Sequence, residues 1–238
     1  MPPPTSTAEP VKKKKNTDDD LKFADVDPNK VIFLDVDGVM RPAERGGSGL
    51  VFIDGEPVMS ASENQVDFLP SAMRAIRKIA AETGARIVIS SEWRKWNNLR
   101  QAVWSNLRTK CKLMPNRFHS DDQIPALDEG IKGDTQDEQL TSFAWRRTRE
   151  IDLWLKRHPN TTHWVALDDV DLPGLVSRMT HSSASHRIIA GKMSTRGVIT
   201  HPLKGLTETD AEKAVSILME DLSAAPEKEK TADSAASK

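Results

Sequence analysis

The sequence predicts a single α/β domain built on a Rossmann-like parallel sheet with helices on both faces. Short apolar runs such as VIFL (31–34) and WVAL (164–167) are typical of strands buried on both sides of a parallel sheet. They alternate with segments in which apolar residues recur every three or four positions, as in amphipathic helices. This alternation predicts right-handed crossovers between parallel strands.

The first half of the domain is predicted to contain strand 31–34, a β-hairpin, a helix and strand 86–89. Asp54-Gly55 lies between apolar flanks in GGSGLVFIDGEPVMS, as expected of a hairpin turn. The helix after it ends at Gly84. Its apolar face is formed by Leu69, Met73, Ile76 and Ala80.

The second half begins with a helix whose apolar face is formed by Trp93, Trp96, Leu99, Val103, Trp104 and Leu107. An irregular stretch follows, and then a helix with Trp145, Ile151, Trp154 and Leu155 on one face. After strand HWVAL (163–167) we expect a helix over 172–179 and a strand over 187–190. A final helix has its N-cap at Thr207 and runs to about Leu222.

Composition separates this domain, 29–223, from two flanking arms that we expect to be disordered. Residues 1–28 and 224–238 contain almost nothing to bury. No apolar run approaches the roughly 18 residues of a membrane helix, and MPPPTSTAEP lacks the features of a secretory signal. We therefore expect a cytoplasmic protein without membrane contact. The run Lys12, Lys13, Lys14 and Lys15 allows a nuclear localisation as an alternative.

The chain has one cysteine, Cys111, which excludes an internal disulfide. No residue near it in the sequence reads as an activating base. We therefore do not expect Cys111 to be a nucleophile.

Polar residues follow three of the predicted strands directly. Asp35 and Asp37 follow 31–34, Ser90 and Ser91 follow 86–89, and Asp168 and Asp169 follow strand 163–167. Ligands of such sheets bind at the carboxyl ends of the strands. Carboxylates gathered there repel one another unless they share a proton or a cation, and an all-oxygen set suits Mg²⁺. The predicted metal site therefore comprises Asp35, Asp37, Asp168 and Asp169.

These segments resemble the motifs of the haloacid dehalogenase (HAD) superfamily of phosphatases and phosphotransferases. VIFLDVDGVM is similar to its first motif, and ISS and WVALDD to its second and fourth, in the right order over about 31–222. ISSEWR, RRTREIDLWLKRH and GLTETDAEKAVSIL are similar to a phosphatase subfamily attached to RNA-repair enzymes. The resemblance implies a Mg²⁺-dependent phosphohydrolase with a small cap or none, because neither gap between motifs has room for a full cap domain.

The resemblance also implies roles for the strand-end residues. Asp35 is the expected nucleophile, which forms an aspartyl-phosphate. Asp37 is the expected general acid and base, with its metal contact through the main-chain carbonyl. Ser90, rather than Ser91, is expected to hydrogen-bond a phosphoryl oxygen. Asp169 is the first choice as metal ligand, with Asp168 binding directly or through water.

The third motif of the family is a basic residue that steadies the nucleophile and the phosphate. Arg147 lies at the matching position, although Thr148 stands where the subfamily has Gly. Arg146 and Arg149 therefore remain alternatives.

The expected substrate is a polynucleotide or nucleotide phosphate monoester, including RNA or DNA ends. From Trp93 through Ser120 there are seven Lys or Arg and no acid, and cations of this kind neutralise phosphates. Ser91, Trp93 and Arg94 are the expected substrate-binding residues, and Arg94 is the preferred contact to the phosphate or the leaving group. A small-metabolite phosphatase and a non-catalytic nucleic-acid-binding scaffold are the alternatives, and the oligomeric state is left open.

Overall fold

The fold is described from a computed structural model, in which the structure describes residues 21–43, 50–53, 56–59, 68–127, 136–179 and 183–220. Its strands are β1 (Lys30–Leu34), β2 (Leu50–Ile53), β3 (Glu56–Met59), β4 (Arg86–Ile89), β5 (Phe118–Gln123), β6 (His163–Asp168) and β7 (Gly197–Ile199). Its α-helices are α1 (Pro70–Thr83), α2 (Asn97–Thr109), α3 (Gln136–Arg157), α4 (Leu175–Arg178), α5 (Ala184–Arg196) and α6 (Glu208–Leu218). Two short 3₁₀ helices, Glu92–Lys95 and Pro115–Arg117, precede α2 and β5.

The main sheet has five parallel strands in the order β5-β4-β1-β6-β7, which confirms the predicted fold class. The central strand β1 lies between β4 and β6, and Leu34 is level with Ile89 on one side and Leu167 on the other. The three strands therefore end at the same height. This common end is where the polar residues of the sequence motifs emerge.

Apolar packing covers both faces of the sheet. Ile32 and Leu34 of β1 point to a core that includes residues of α1, α2 and α6. Val31 and Phe33 point to the opposite core, which α3, α4 and α5 cover. All four side chains are fully buried, so β1 is held rigidly from both sides.

The predicted hairpin is present as the antiparallel pair β2–β3. Its turn, Asp54-Gly55, lies outside the described residues. Between β1 and α1 the described residues form only this two-stranded sheet, which agrees with a small cap or none. The ends of α1 and α6 also follow the sequence: Gly84 is left-handed at the end of α1, and Thr207 caps α6 in a capping box with Asp210.

The helix predicted to start at Trp93 is interrupted. Residues Glu92–Lys95 form a 3₁₀ turn, Trp96 is extended, and α2 begins only at Asn97. The stretch after α2, which the sequence marked as irregular, contains the edge strand β5 with the sequence FHSDDQ. An edge strand needs one partner for its backbone and can carry charged side chains, so it lacks the apolar run of a central strand.

The strand predicted over 187–190 is wrong, because these residues lie inside α5. A short apolar run does not distinguish a strand from a helix segment. Ser183 caps this helix through the His186 amide, and Ile188 is 67 % exposed while Ala190 is buried. The strand itself is β7, which follows α5 directly and pairs with β6.

The predicted N-terminal arm is too long at its inner end. Residues 21–28 are described, and the Ala24 amide donates a hydrogen bond to the Ala81 carbonyl at 2.7 Å. Phe23 packs on the core between the guanidinium groups of Arg77 and Arg117. Residues 1–20, with Lys12 to Lys15, and residues 221–238 lie outside the described part. Among the described helices, none is both long and apolar enough to cross a membrane.

Candidate active site at the carboxyl ends of β1, β4 and β6

Main-chain hydrogen bonds fix the residues that follow the three central strands. The Asp35 amide donates to the Leu167 carbonyl at 3.0 Å, and the Ser90 amide donates to the Leu34 carbonyl at 2.8 Å. These bonds continue the sheet by one residue beyond β1 and β4. Asp35, Ser90 and the last residue of β6, Asp168, therefore lie side by side.

Three carboxylates converge at this point. Asp35, Asp168 and Asp169 each place an oxygen within 4.8 Å of the others. Asp35 and Asp168 are 6 % and 2 % exposed, so water screens them poorly. A cluster of three nearly buried carboxylates with oxygen donors only is the kind of site that hard divalent cations such as Mg²⁺ occupy. The donor set therefore fits the expected metal.

Gly38 makes room for Asp169. It adopts a left-handed φ of +72°, and a Cβ at this position would lie 2.4 Å from the Asp169 carboxyl group. The Thr200 hydroxyl donates to the Gly38 carbonyl at 2.7 Å and holds the turn in place. The glycine of the D-x-D-G motif is thus required twice, for its φ and for the missing side chain.

Arg147 is the arginine whose guanidinium reaches the cluster. Its NH1 nitrogen lies 2.9 Å from Asp168 Oδ2 and 3.3 Å from Asp35 Oδ1. The two alternatives point elsewhere: Arg146 pairs with Glu92 at 3.0 Å, and Arg149 lies over the Trp145 ring. Thr148, which stands where the subfamily has Gly, does not move Arg147 away from the carboxylate cluster.

Arg147 is also held by the buried carboxylate of Glu150, which was not predicted from the sequence. Glu150 is fully buried, and its Oε2 lies 3.7 Å from Arg147 Nε and 2.7 Å from Arg94 NH2. The Leu127 amide donates to the other Glu150 oxygen at 3.0 Å. A spacing of three residues from Arg147 on one helix was the available signal in the sequence.

The pKa values show that one arginine does not neutralise the cluster. Burial, together with the charge of Asp35, raises the pKa of Asp169 to about 7. Burial raises the pKa of Asp168 to about 8, against the opposing charge of Arg147. Both carboxyl groups therefore favour either a proton or an added cation at neutral pH.

The two adjacent aspartates have different surroundings. Asp168 Oδ2 accepts from Arg147, and Asp168 Oδ1 accepts from the Val170 amide at 3.0 Å. For Asp169 no lysine or arginine lies within ion-pair distance in the part of the chain that the structure describes. Asp169 thus has the carboxylate better placed to bind a cation directly, in line with the order of preference from the sequence.

The Asp37 side chain does not belong to the carboxylate cluster. Its Oδ2 accepts a hydrogen bond from Trp93 Nε1 at 2.7 Å, and its Oδ1 lies 3.5 Å from Arg41 Nε. Burial and the charge of Asp35 raise the pKa of Asp37. A contact between Asp37 and a metal through its main-chain carbonyl stays a prediction.

The residues expected to touch substrate after β4 are turned inward. The Ser91 hydroxyl accepts from the Trp93 amide and caps the 3₁₀ turn, and Trp93 is 1 % exposed. The Arg94 guanidinium is buried against Glu150, the Ser91 carbonyl and the Ile124 carbonyl. Ser91, Trp93 and Arg94 therefore make their described contacts within the protein, Arg94 also lines a surface cleft, and contact of the three residues with substrate stays a prediction. Ser90 remains at the level of Asp35.

The reactivity of the Cys111 thiol tests whether this residue is buried in the folded protein. It is 1 % exposed, and burial raises the pKa of its thiol to about 12. Because the thiolate is the reactive form, we expect no reaction of the folded protein with a disulfide reagent such as 5,5′-dithiobis(2-nitrobenzoate) at pH 8. The urea-unfolded protein is the control and releases one equivalent of chromophore per chain, measured by absorbance. Rapid labelling of the folded protein contradicts the buried position.

Comparison with known proteins agrees with this geometry. Residues 31–211 match the family model described as the HAD domain in Swiss Army Knife RNA repair proteins. No match was found among curated proteins or among solved structures. The matched range contains every residue of the cluster and covers more than half of the chain. The chain therefore belongs to the family of HAD domains found in Swiss Army Knife RNA repair proteins.

Proposed function

We propose that the protein is a Mg²⁺-dependent phosphohydrolase that removes phosphate from a monoester through an aspartyl-phosphate on Asp35. The observation that carries the proposal is the convergence of Asp35, Asp168 and Asp169 within 4.8 Å beside Arg147. Membership of the HAD family supports the same chemistry. Asp35, Asp168 and Asp169 are the residues that would hold the metal, which supplies positive charge against the phosphate oxygens.

Asp35 is suited to in-line attack because a main-chain hydrogen bond fixes its backbone while its carboxylate lies in the cluster. In the first half-reaction an Asp35 oxygen bonds to phosphorus and the bond from phosphorus to the alcohol oxygen breaks. Asp37 gives its proton to that oxygen. In the second half-reaction water attacks phosphorus, Asp37 takes a proton from the water, and the bond between Asp35 and phosphorus breaks to release inorganic phosphate.

Arg147 and Ser90 stabilise charge during both steps. Arg147 is anchored by buried partners, so its guanidinium is already in position when negative charge develops on the phosphoryl group. Ser90 is 1 % exposed and lies at the end of β4, next to Asp35. Its hydroxyl has the proposed role of donating a hydrogen bond to a phosphoryl oxygen.

A polynucleotide end is the proposed substrate class, because a cationic cleft opens on the β5 side of the sheet. The cleft has a volume of about 530 Å³, and its lining includes Lys95, Arg100 and Arg157 together with Asn97, Gln123 and one acid, Asp121. Arg94 also borders it, and its pairing with Glu150 connects this wall to Arg147. A small phosphate ester has no need of such a cleft, whereas a nucleic-acid strand carries further phosphates that cations can neutralise.

The catalytic prediction is that Asp35→Asn lowers kcat by about 10³-fold or more and Asp37→Asn by about 10²- to 10⁴-fold. EDTA is expected to abolish hydrolysis and Mg²⁺ to restore it, measured with 4-nitrophenyl phosphate. Asp171→Asn changes a carboxylate outside the cluster and is the matched control, expected to keep near-normal activity. No Mg²⁺-dependent activity in the wild type, with salt-sensitive RNA or DNA binding retained, would favour the scaffold alternative.

The geometric prediction compares two glycines with the same φ of +72°, Gly38 and Gly84. Alanine at either position is strained by roughly 1–2 kcal/mol and also meets a close neighbour. Gly84 lies before β4, at the opposite end of that strand from Ser90. We expect both variants to be destabilised in urea unfolding, and only Gly38→Ala to lose activity by about tenfold or more beyond the unfolded fraction. Equal activity losses in the two variants would contradict the role given to Gly38.

The substrate prediction concerns the three outer cations of the cleft. We expect the triple variant Lys95→Gln, Arg100→Gln, Arg157→Gln to raise KM for a 5′- or 3′-phosphorylated oligonucleotide and to reduce the slope of log KM against log salt by about 2. Hydrolysis of 4-nitrophenyl phosphate should be unchanged. Replacing Arg187, Lys204 and Lys213, which are exposed on other elements, controls for net charge. An unchanged salt slope would favour a small-metabolite substrate.

A further inference from the structure

Two side chains to which the proposed mechanism gives no role surround the Asp37 carboxyl group. Trp93 Nε1 donates to Oδ2 at 2.7 Å, while Arg41 Nε lies 3.5 Å from Oδ1. The Arg41 guanidinium also lies over the Trp93 ring, 5.5 Å from its centroid. Each of the three side chains therefore contacts the other two.

Main-chain hydrogen bonds fix the backbone of both partners near Asp37. Arg41 returns to the site through a tight turn, in which the Met40 and Arg41 amides donate to the Val36 carbonyl and the Gly38 amide donates to the Arg41 carbonyl. Trp93 lies in a 3₁₀ turn, and its amide donates to the Ser91 hydroxyl at the start of that turn. Arg94 holds the same turn by donating to the Ser91 carbonyl at 2.7 Å. The two donors are thus carried by hydrogen-bonded turns on either side of the Asp37 carboxyl group.

The contacts make the two Asp37 oxygens unequal. Oδ2 is engaged by a short hydrogen bond from a tryptophan that is 1 % exposed. Oδ1 has Arg41 at 3.5 Å, too long for a strong hydrogen bond. The Asp37 side chain as a whole is 34 % exposed. Of its two oxygens, Oδ1 therefore has the weaker contact with its neighbours in the protein.

We propose that Trp93 and Arg41 are positioning residues that clamp the Asp37 carboxyl group so that Oδ1 delivers its proton to a poor leaving group. The proposal rests on the function assigned to Asp35 and Asp37 above. In the step concerned, the bond between Asp35 and phosphorus forms, the bond from phosphorus to the alcohol breaks, and the Asp37 proton moves to the alcohol oxygen. An aliphatic alcohol needs this proton far more than a nitrophenol does. The clamp therefore matters most for phosphate esters of aliphatic alcohols, sugar hydroxyls included.

The test compares two esters of similar size that differ in leaving group, 4-nitrophenyl phosphate and 2-phenylethyl phosphate. The measured quantity is kcat/KM, which reports the step in which the alcohol leaves, whereas kcat also contains the hydrolysis of the aspartyl-phosphate common to both esters. For Trp93→Phe we expect kcat/KM to fall by about 10- to 100-fold with the phenylethyl ester and by about threefold or less with the nitrophenyl ester, a share of the usual effect of general acid catalysis. Asp37→Asn defines the largest selective loss that removal of the acid can give.

Trp104→Phe is the matched control, since Trp104 is buried in the same apolar core and does not contact Asp37. We expect it to leave the ratio of the two kcat/KM values unchanged. Arg41→Gln tests the other half of the clamp and decides the matter if Trp93→Phe does not fold, as judged by circular dichroism. We expect the same selective loss there.

The outcomes separate the inference from the proposed function. If wild-type hydrolysis does not depend on Asp35, the proposed function fails. If it depends on Asp35 and on Asp37 with the expected selectivity, but the folded Trp93 and Arg41 variants lose both esters equally or lose neither, only the clamp is overturned. A selective loss of the phenylethyl ester in either variant supports it.

Discussion

The site depends on the common register of three parallel strands. Leu34 is level with Ile89 and Leu167, so the residues that follow emerge at one height from strands about 4.8 Å apart. The Asp35 backbone cannot move away from β6 without breaking the hydrogen bond between its amide and the Leu167 carbonyl. Repulsion between the carboxylates is therefore imposed by the backbone, and the apolar packing on both faces of β1 keeps it from relaxing.

Arg147 offsets only part of this repulsion. Arg147 pairs with Asp35 and Asp168. Its guanidinium is held in one place by Glu150 and by the Phe143 ring, over which it lies. The fixed guanidinium of Arg147 offsets the charges of Asp35 and Asp168, which it contacts. Asp169 has no ion-pair partner among the described residues. Burial, together with the charge of Asp35, raises the pKa values of both Asp168 and Asp169, and for Asp168 it does so against the opposing charge of Arg147. Because this arginine is anchored, it cannot also offset the charge of Asp169, and the divalent cation proposed above would do so.

The sequence predicted the structure best where residues of the candidate site directly follow a buried apolar strand. D-x-D-G after VIFL and D-D after WVAL place Asp35 and Asp169 correctly, since a buried strand leaves its following residue little choice of position. It was least informative at the edges of the sheet. β5 is polar because it has one neighbour, and β7 is three residues long, so neither has the apolar pattern of a central strand. Glu150 gave no signal beyond its spacing, because a buried carboxylate is defined by tertiary partners.

In segment 91–96 the sequence predicts where the residues lie along the chain but not the direction in which their side chains point. Adjacency to Ser90 places Trp93 and Arg94 beside the active site, as expected. A 3₁₀ turn has about three residues per turn, however, so consecutive side chains differ in direction by about 120°. Trp93 therefore reaches Asp37, while Arg94 reaches Glu150 and through it Arg147. One short turn therefore contacts Asp37 on one side of the candidate site and, through Glu150, Arg147 on the other, which are two groups that the proposed mechanism uses in the same displacement.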